Sequence, residues 1–122
     1  MTSDELKART KKFSLMIIDL VEKLPNSISS RAIANQVVRS GMSVGANYRA
    51  VCRARSDREF IAKMTIVIEE ADETLFWIEI IQEKKWTDYS ELNLIWKEGN
   101  QLTAIFVSNI KKVKARLNDS NS

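Results

Sequence analysis

The sequence predicts an all-α protein, an antiparallel up-down-up-down bundle of four helices. Three observations predict it. Apolar residues recur with the helical period of about 3.6 almost throughout the chain. One proline and three glycines in 122 residues leave few places where a helix must break. Ser56 with Glu59, and Asp88 with Glu91, have the spacing of helix N-caps that satisfy free backbone N–H groups. The length suits one domain spanning 1–122, with a real hydrophobic core and no need of staples.

The first helix is expected over about 4–24, with Phe13, Met16, Ile17, Leu20, Val21 and Leu24 on one face. Pro25 and Asn26 should stop it. The second is expected over about 30–53, with Ile33, Val37, Val44, Tyr48 and Val51 in register. The third opens at the Ser56 cap and runs over about 57–84, with Phe60, Met64, Val67, Ala71, Leu75 and Ile78 as its stripe. The fourth, over about 88–117, carries Leu92, Ile95, Leu102, Phe106, Val113 and Leu117. The polar tail from Asn118 is expected to fray. Turns of a few residues make successive helices antiparallel neighbours.

Two faces are unusual for a monomer. One arc of the second helix holds Ala32, Ser43, Ala46, Ala50 and Ala54, which permit close approach of another backbone. Outside the stripe of the third helix lie Ile66, Phe76 and Ile80, with Trp77 at the flank. Contiguous exposed apolar groups usually mark an interface, so these four residues, with Arg39, are the candidate surface for a closed homo-oligomer. The alternative is that the helix twists enough to bury some of them against the fourth, or that they are scattered exposed residues. Arg39 falls level with Asp72, near Glu69 and Glu73, in a hairpin that turns near Arg55. It therefore pairs with those acids, within the chain or across subunits, or else serves a ligand.

Charge is segregated as well. From Lys23 to Lys63 there are eight basic and two acidic residues; from Glu69 to Glu83 there are six acidic and no basic ones. Arg49, Arg53, Arg55, Arg58 and Lys63 converge at the junction of the second and third helices. Arginine presents a fork of donors matched to phosphate oxygens, so this cluster is the candidate site for RNA or single-stranded DNA. Lys111 and Lys112, on the last helix, read as lying away from it. The competing account is a solvated charged loop, or pairing with acids of a neighbouring copy. In that case the protein is a structural scaffold or a protein–protein interaction module.

An enzyme has little to work with here. The chain has no histidine, so it has neither the commonest general base nor the Glu-x-x-His pairs of a di-iron bundle. Cys52 has no Cys–His partner, and core filling accounts for it. Glu69, Glu70 and Glu73 are read as solvated or paired carboxylates rather than a cation site. Gly41 and Gly45 sit mid-helix, where they permit close packing and cradle no phosphate. No catalytic residue, cofactor or metal is expected. No apolar run reaches the roughly 18–20 residues of a membrane span, and Met1–Lys12 is too polar for a secretory signal. With one cysteine and no internal disulfide, a cytoplasmic location is the simplest expectation.

Leu24-Pro25, QVVRSGMSVGANYR at 36–49, RARSDREF at 53–60 and EADETLFWIEII at 70–81 together resemble the bacterial four-helix bundle family, also called the 23S rRNA intervening-sequence protein family. The resemblance covers roughly residues 13–81. It implies an up-down bundle assembled as a ring of five, with no catalytic activity to carry over. A related accessory protein of diversity-generating retroelements is similar in shape and binds nucleic acid. Many members have an acidic-glycine turn after the asparagine; here the segment reads Asn47-Tyr48-Arg49-Ala50-Val51-Cys52, a more basic variant.

Overall fold

Each of the four periodic segments becomes one helix. The structure is a computed structural model, and it describes residues 1–121. In order the helices are α1 (Ser3–Val21), α2 (Ile28–Val51), α3 (Asp57–Lys84) and α4 (Tyr89–Asn121). No strand occurs among the described residues. Each helix packs on its two neighbours around a square: α1 on α2, α2 on α3, α3 on α4, and α4 back on α1. The core runs down the middle through Phe13, Ile17, Val37, Val44, Met64, Val67, Ile78, Leu102 and Phe106, all fully buried.

The helix ends differ from the sequence expectation for local reasons. α1 stops at Val21, before Pro25, because Lys23 and Leu24 donate to Leu20 and Val21 carbonyls in a tightened last turn. α2 starts two residues early because the Ser27 hydroxyl accepts from the Ser30 N–H as an N-cap. At α3 the Ser56 hydroxyl accepts from the Glu59 N–H, but the Glu59 carboxylate takes the Arg55 N–H at 3.4 Å rather than closing a reciprocal box. At α4 the Asp88 carboxylate accepts from the N–H and hydroxyl of Ser90. α4 continues past the expected end at 117, to Asn121.

Small residues set a close crossing of α1 and α2. A Cβ on Gly41 would lie 3.0 Å from Ile17 Cγ1, and one on Gly45 would lie 3.4 Å from the Thr10 carbonyl. The Ser14 hydroxyl bridges the Thr10 and Gly41 carbonyls at 3.2 and 3.3 Å. α1 and α2 therefore meet almost backbone to backbone. Gly99, which the sequence reading passed over, does the same for α4: its missing Cβ would stand 2.9 Å from Leu75 Cδ2 and 3.2 Å from the Phe13 ring.

The antiparallel order fixes which segments share an end. α1 begins, α2 ends, α3 begins and α4 ends at the same end of the bundle. Arg116 near the end of α4 donates to both oxygens of Asp57 at the start of α3, at 3.3 and 2.9 Å. Met1 lines a hollow with Ile105, Ser108 and Lys112.

Candidate functional site

The close α1–α2 crossing shapes an open groove on the outside of α2. Its volume is about 690 Å³. Thr10, Ser14, Gly45, Ala46 and Ala50 form a floor of small groups, while Lys7 and Lys11 of α1, Arg49 and Arg53 of α2, and Lys63 of α3 stand around it. No carboxylate lines it. The α2 residues follow helical spacing, 46, 49, 50 and 53, so one face presents both the small floor and two guanidinium groups. Arg49 and Arg53 are exposed. Among the described residues neither makes an ion pair, and the same holds for Lys7 and Lys11.

The predicted basic cluster is thus divided. Arg49, Arg53 and Lys63 share the groove. Lys63 is the compromised member, because its ammonium pairs with Glu59 one turn earlier at 2.7 Å. That ammonium, with the Arg55 N–H, holds the Glu59 carboxyl below its usual range. Arg55 lies instead in a smaller hollow with Tyr48, Cys52, Ser56, Asp57 and Phe60. Arg58 is exposed on the first turn of α3 and lines neither cavity. Lys7 and Lys11 were missed; their only signal was four-residue spacing in a segment read as polar surface.

One reading of position is overturned. Lys111 and Lys112 do not lie away from the junction, because α4 returns antiparallel and the Arg116–Asp57 pair clamps its end onto the start of α3. Lys111, Lys112 and Lys114 therefore add to the positive charge at this end, while Arg116 is offset by Asp57.

The outer face of α3 is of the opposite kind. Ile66 is 46% and Phe76 53% exposed. Ile80 is half-buried, as is Trp77, which packs partly against the core and touches Phe76 edge to face at 5.0 Å between ring centres. Arg39 meets Glu70 at 3.1 Å and also pairs with Glu73, both of its own chain, rather than Asp72 or Glu69. Thr74 lies 2.8 Å from both the Ser40 hydroxyl and the Glu70 carbonyl, a buried polar rung between α2 and α3.

Cys52 is half-buried, packed against the core where α2 ends. Burial, and then Cys52 itself, pushes the neighbouring Tyr48 phenol up from its ordinary range. No group of acidic, cysteine or histidine side chains suited to a metal ion occurs among the described residues. Among the described residues no helix is long and apolar enough to cross a membrane.

Fold and site together define a four-helix bundle with one strongly basic end. Residues 4–108 match the 23S rRNA-intervening sequence protein family, and the chain belongs to that family. Among solved structures it is similar to a protein of unknown function from the S23 ribosomal protein family of Bacteroides thetaiotaomicron VPI-5482. The two are 29% identical with a TM-score of 0.80, over 87% of this chain and 98% of that one. No curated protein matches the chain. Neither family description names an enzymatic activity.

Proposed function

We propose that this protein is a non-enzymatic, oligomeric nucleic-acid-binding bundle that holds RNA or DNA by its phosphates. The observation that carries this reading is the groove where Lys7, Lys11, Arg49, Arg53 and Lys63 meet over a floor of small residues with no lining carboxylate. Arg55 and Arg58 extend the positive surface around the same end, and Lys111 and Lys112 continue it along α4. Contacts of this kind position a polyanion without reading its sequence. The test is retention on immobilised polynucleotide at about 50 mM salt, with release as salt rises, the signature of displaced counterions. Flow-through at that salt defeats the reading.

The assembly belongs to the same proposal. The exposed Ile66 and Phe76, with Trp77, Ile80 and Arg39 beside them, form the surface through which copies would pack into a closed ring. Five copies is the number the family resemblance implies. A ring would repeat the basic end around its axis. This apolar face also favours a second reading, a scaffold whose partner is protein. Light scattering tests the assembly: a mass several times 14.0 kDa supports the ring, and a monomer at micromolar concentration removes it. Retention on polynucleotide separates the two readings, since a scaffold elutes at low salt and a binder needs added salt for release.

A further inference from the structure

We infer that the groove takes the phosphate backbone of a double-helical nucleic acid rather than an unpaired strand. This rests on the reading of the groove as a phosphate site and narrows its ligand. Proteins that hold unpaired strands combine a positive channel with aromatic rings on which successive bases stack, at about 1–3 kcal/mol per base. The groove has the cations and none of the rings: no Phe, Tyr or Trp lines it. The two exposed rings are elsewhere. Phe76 lies roughly 28 Å along α3 from Asp57, and Tyr89 opens α4 at the far end of the bundle. Phe60 faces the neighbouring hollow beside Arg55, half-buried against the core.

An unpaired strand in this groove would leave its bases in water and gain no stacking. It would also lose the flexibility of each nucleotide held, which costs free energy. A duplex keeps its bases stacked on one another and arrives stiff, with a persistence length of about 50 nm in DNA. It also concentrates charge, one phosphate per roughly 1.7 Å of axis. The cations suit a rail of that sort. Lys7 and Lys11 on one side, and Arg49 and Arg53 on the other, are each separated by four residues, about 6 Å along their helices. The small floor of Gly45, Ala46 and Ala50 leaves room for a backbone to descend between the rows.

The experiment is fluorescence anisotropy of the full chain with three labelled probes: an RNA duplex, a DNA duplex of the same length, and an unpaired strand with the same number of phosphates. A duplex should bind about tenfold tighter than the strand at about 50 mM salt, because each phosphate neutralised on a duplex releases more counterion than one on a single strand. With four phosphates neutralised per protomer, its affinity should fall roughly a hundredfold between about 50 and 200 mM salt. Tighter binding of the RNA duplex assigns the A-form helix, and equal binding assigns phosphate alone; either supports the inference. Strand binding equal to or tighter than duplex binding overturns it and leaves the nucleic-acid reading standing, the more so if Phe60→Leu weakens the strand. Failure of all three probes to bind overturns both. Lys7→Glu with Lys11→Glu should lower duplex affinity at least about tenfold, with helix content and assembly mass unchanged. Unchanged affinity in that variant places the duplex outside the groove and overturns the inference.

Discussion

The outer faces of α2 and α3 belong to one antiparallel hairpin, yet they are built from opposite materials. On α2 the exposed arc is small and cationic, Ala46, Arg49, Ala50 and Arg53. On α3 it is large and apolar among carboxylates, Ile66 and Phe76 beside Glu69, Asp72 and Glu73. Both hairpin partners supply the same core through their inner stripes, so packing of the protomer does not require either outer face. Burial explains the inner stripes; under the proposed function the outer faces are the ones that would meet a polyanion and a second copy.

The largest expected effect tests the α2 face. Arg49→Glu with Arg53→Glu removes two unpaired guanidinium groups and adds two carboxylates to a groove that has none. Polynucleotide affinity at about 50 mM salt should fall at least a hundredfold, since each neutralised phosphate contributes a power of the salt dependence. Circular dichroism should be unchanged, because both side chains are exposed. If affinity holds, the groove is ordinary solvated surface and the contrast between the two faces loses its functional meaning.

The next effect tests the α3 face. Phe76→Glu places a charge where about half of a phenyl ring is exposed. Burying the exposed half of such a ring against a second copy contributes about 1 kcal/mol, and a charge placed there adds a desolvation cost, so light scattering should show the assembly mass falling while the protomer keeps its helix content. A ring mass that survives the substitution moves the interface off this face.

How much of this was legible follows from what each feature depends on. The four helices came through because period and capping are local signals: the Ser56 cap is where the spacing put it. The ends slipped where tertiary or side-chain competition decided them, as at Val21 and Ser27. Arg49 and Arg53 were visible as an i, i+4 pair on one face. Lys7 and Lys11 were not, because nothing within the first helix says that a glycine-lined crossing on α2 will bring them opposite two arginines. Lys111 was misplaced for a topological reason: distance along the chain is a poor guide in a bundle whose last helix returns to the end where the third begins.

A third effect separates the groove floor from the core beneath it. Gly41→Leu drives side chain into Ile17, which is fully buried and, being β-branched, has one strongly preferred rotamer. The cost should reach the upper part of the roughly 1–3 kcal/mol range for overpacking, a fall in Tm of about 4 °C per kcal/mol. Gly45→Leu has 3.4 Å of clearance to Thr10 and an open side toward the groove. Its cost should sit near about 1 kcal/mol, but its side chain would occupy the floor and weaken polynucleotide binding. Equal melting temperatures for the two variants would show that the α1–α2 crossing is looser than its geometry.

The smallest effect belongs to Arg39, which stands on the boundary between the two faces. It is rooted in α2 and reaches across to Glu70 and Glu73 of α3. Nearly half of its side chain is exposed, 47%, so water screens both pairs. Exposed ion pairs of this kind contribute about 0–1 kcal/mol, and Arg39→Gln should shift the Tm of a dissociated protomer by only a few degrees. What distinguishes the accounts of Arg39 is the assembly. If the α3 face is covered by a second copy, these pairs lose their water and strengthen, and removing the guanidinium leaves two carboxylates with no counter-charge in a drier setting, which is more costly than the pair itself was worth. Arg39→Gln should then lower the assembly mass at a protein concentration where Gly45→Leu does not. A variant that loses a degree or two of Tm and keeps its full mass confines Arg39 to a surface pair within one chain, and draws the edge of the interface on the α3 side of the hairpin.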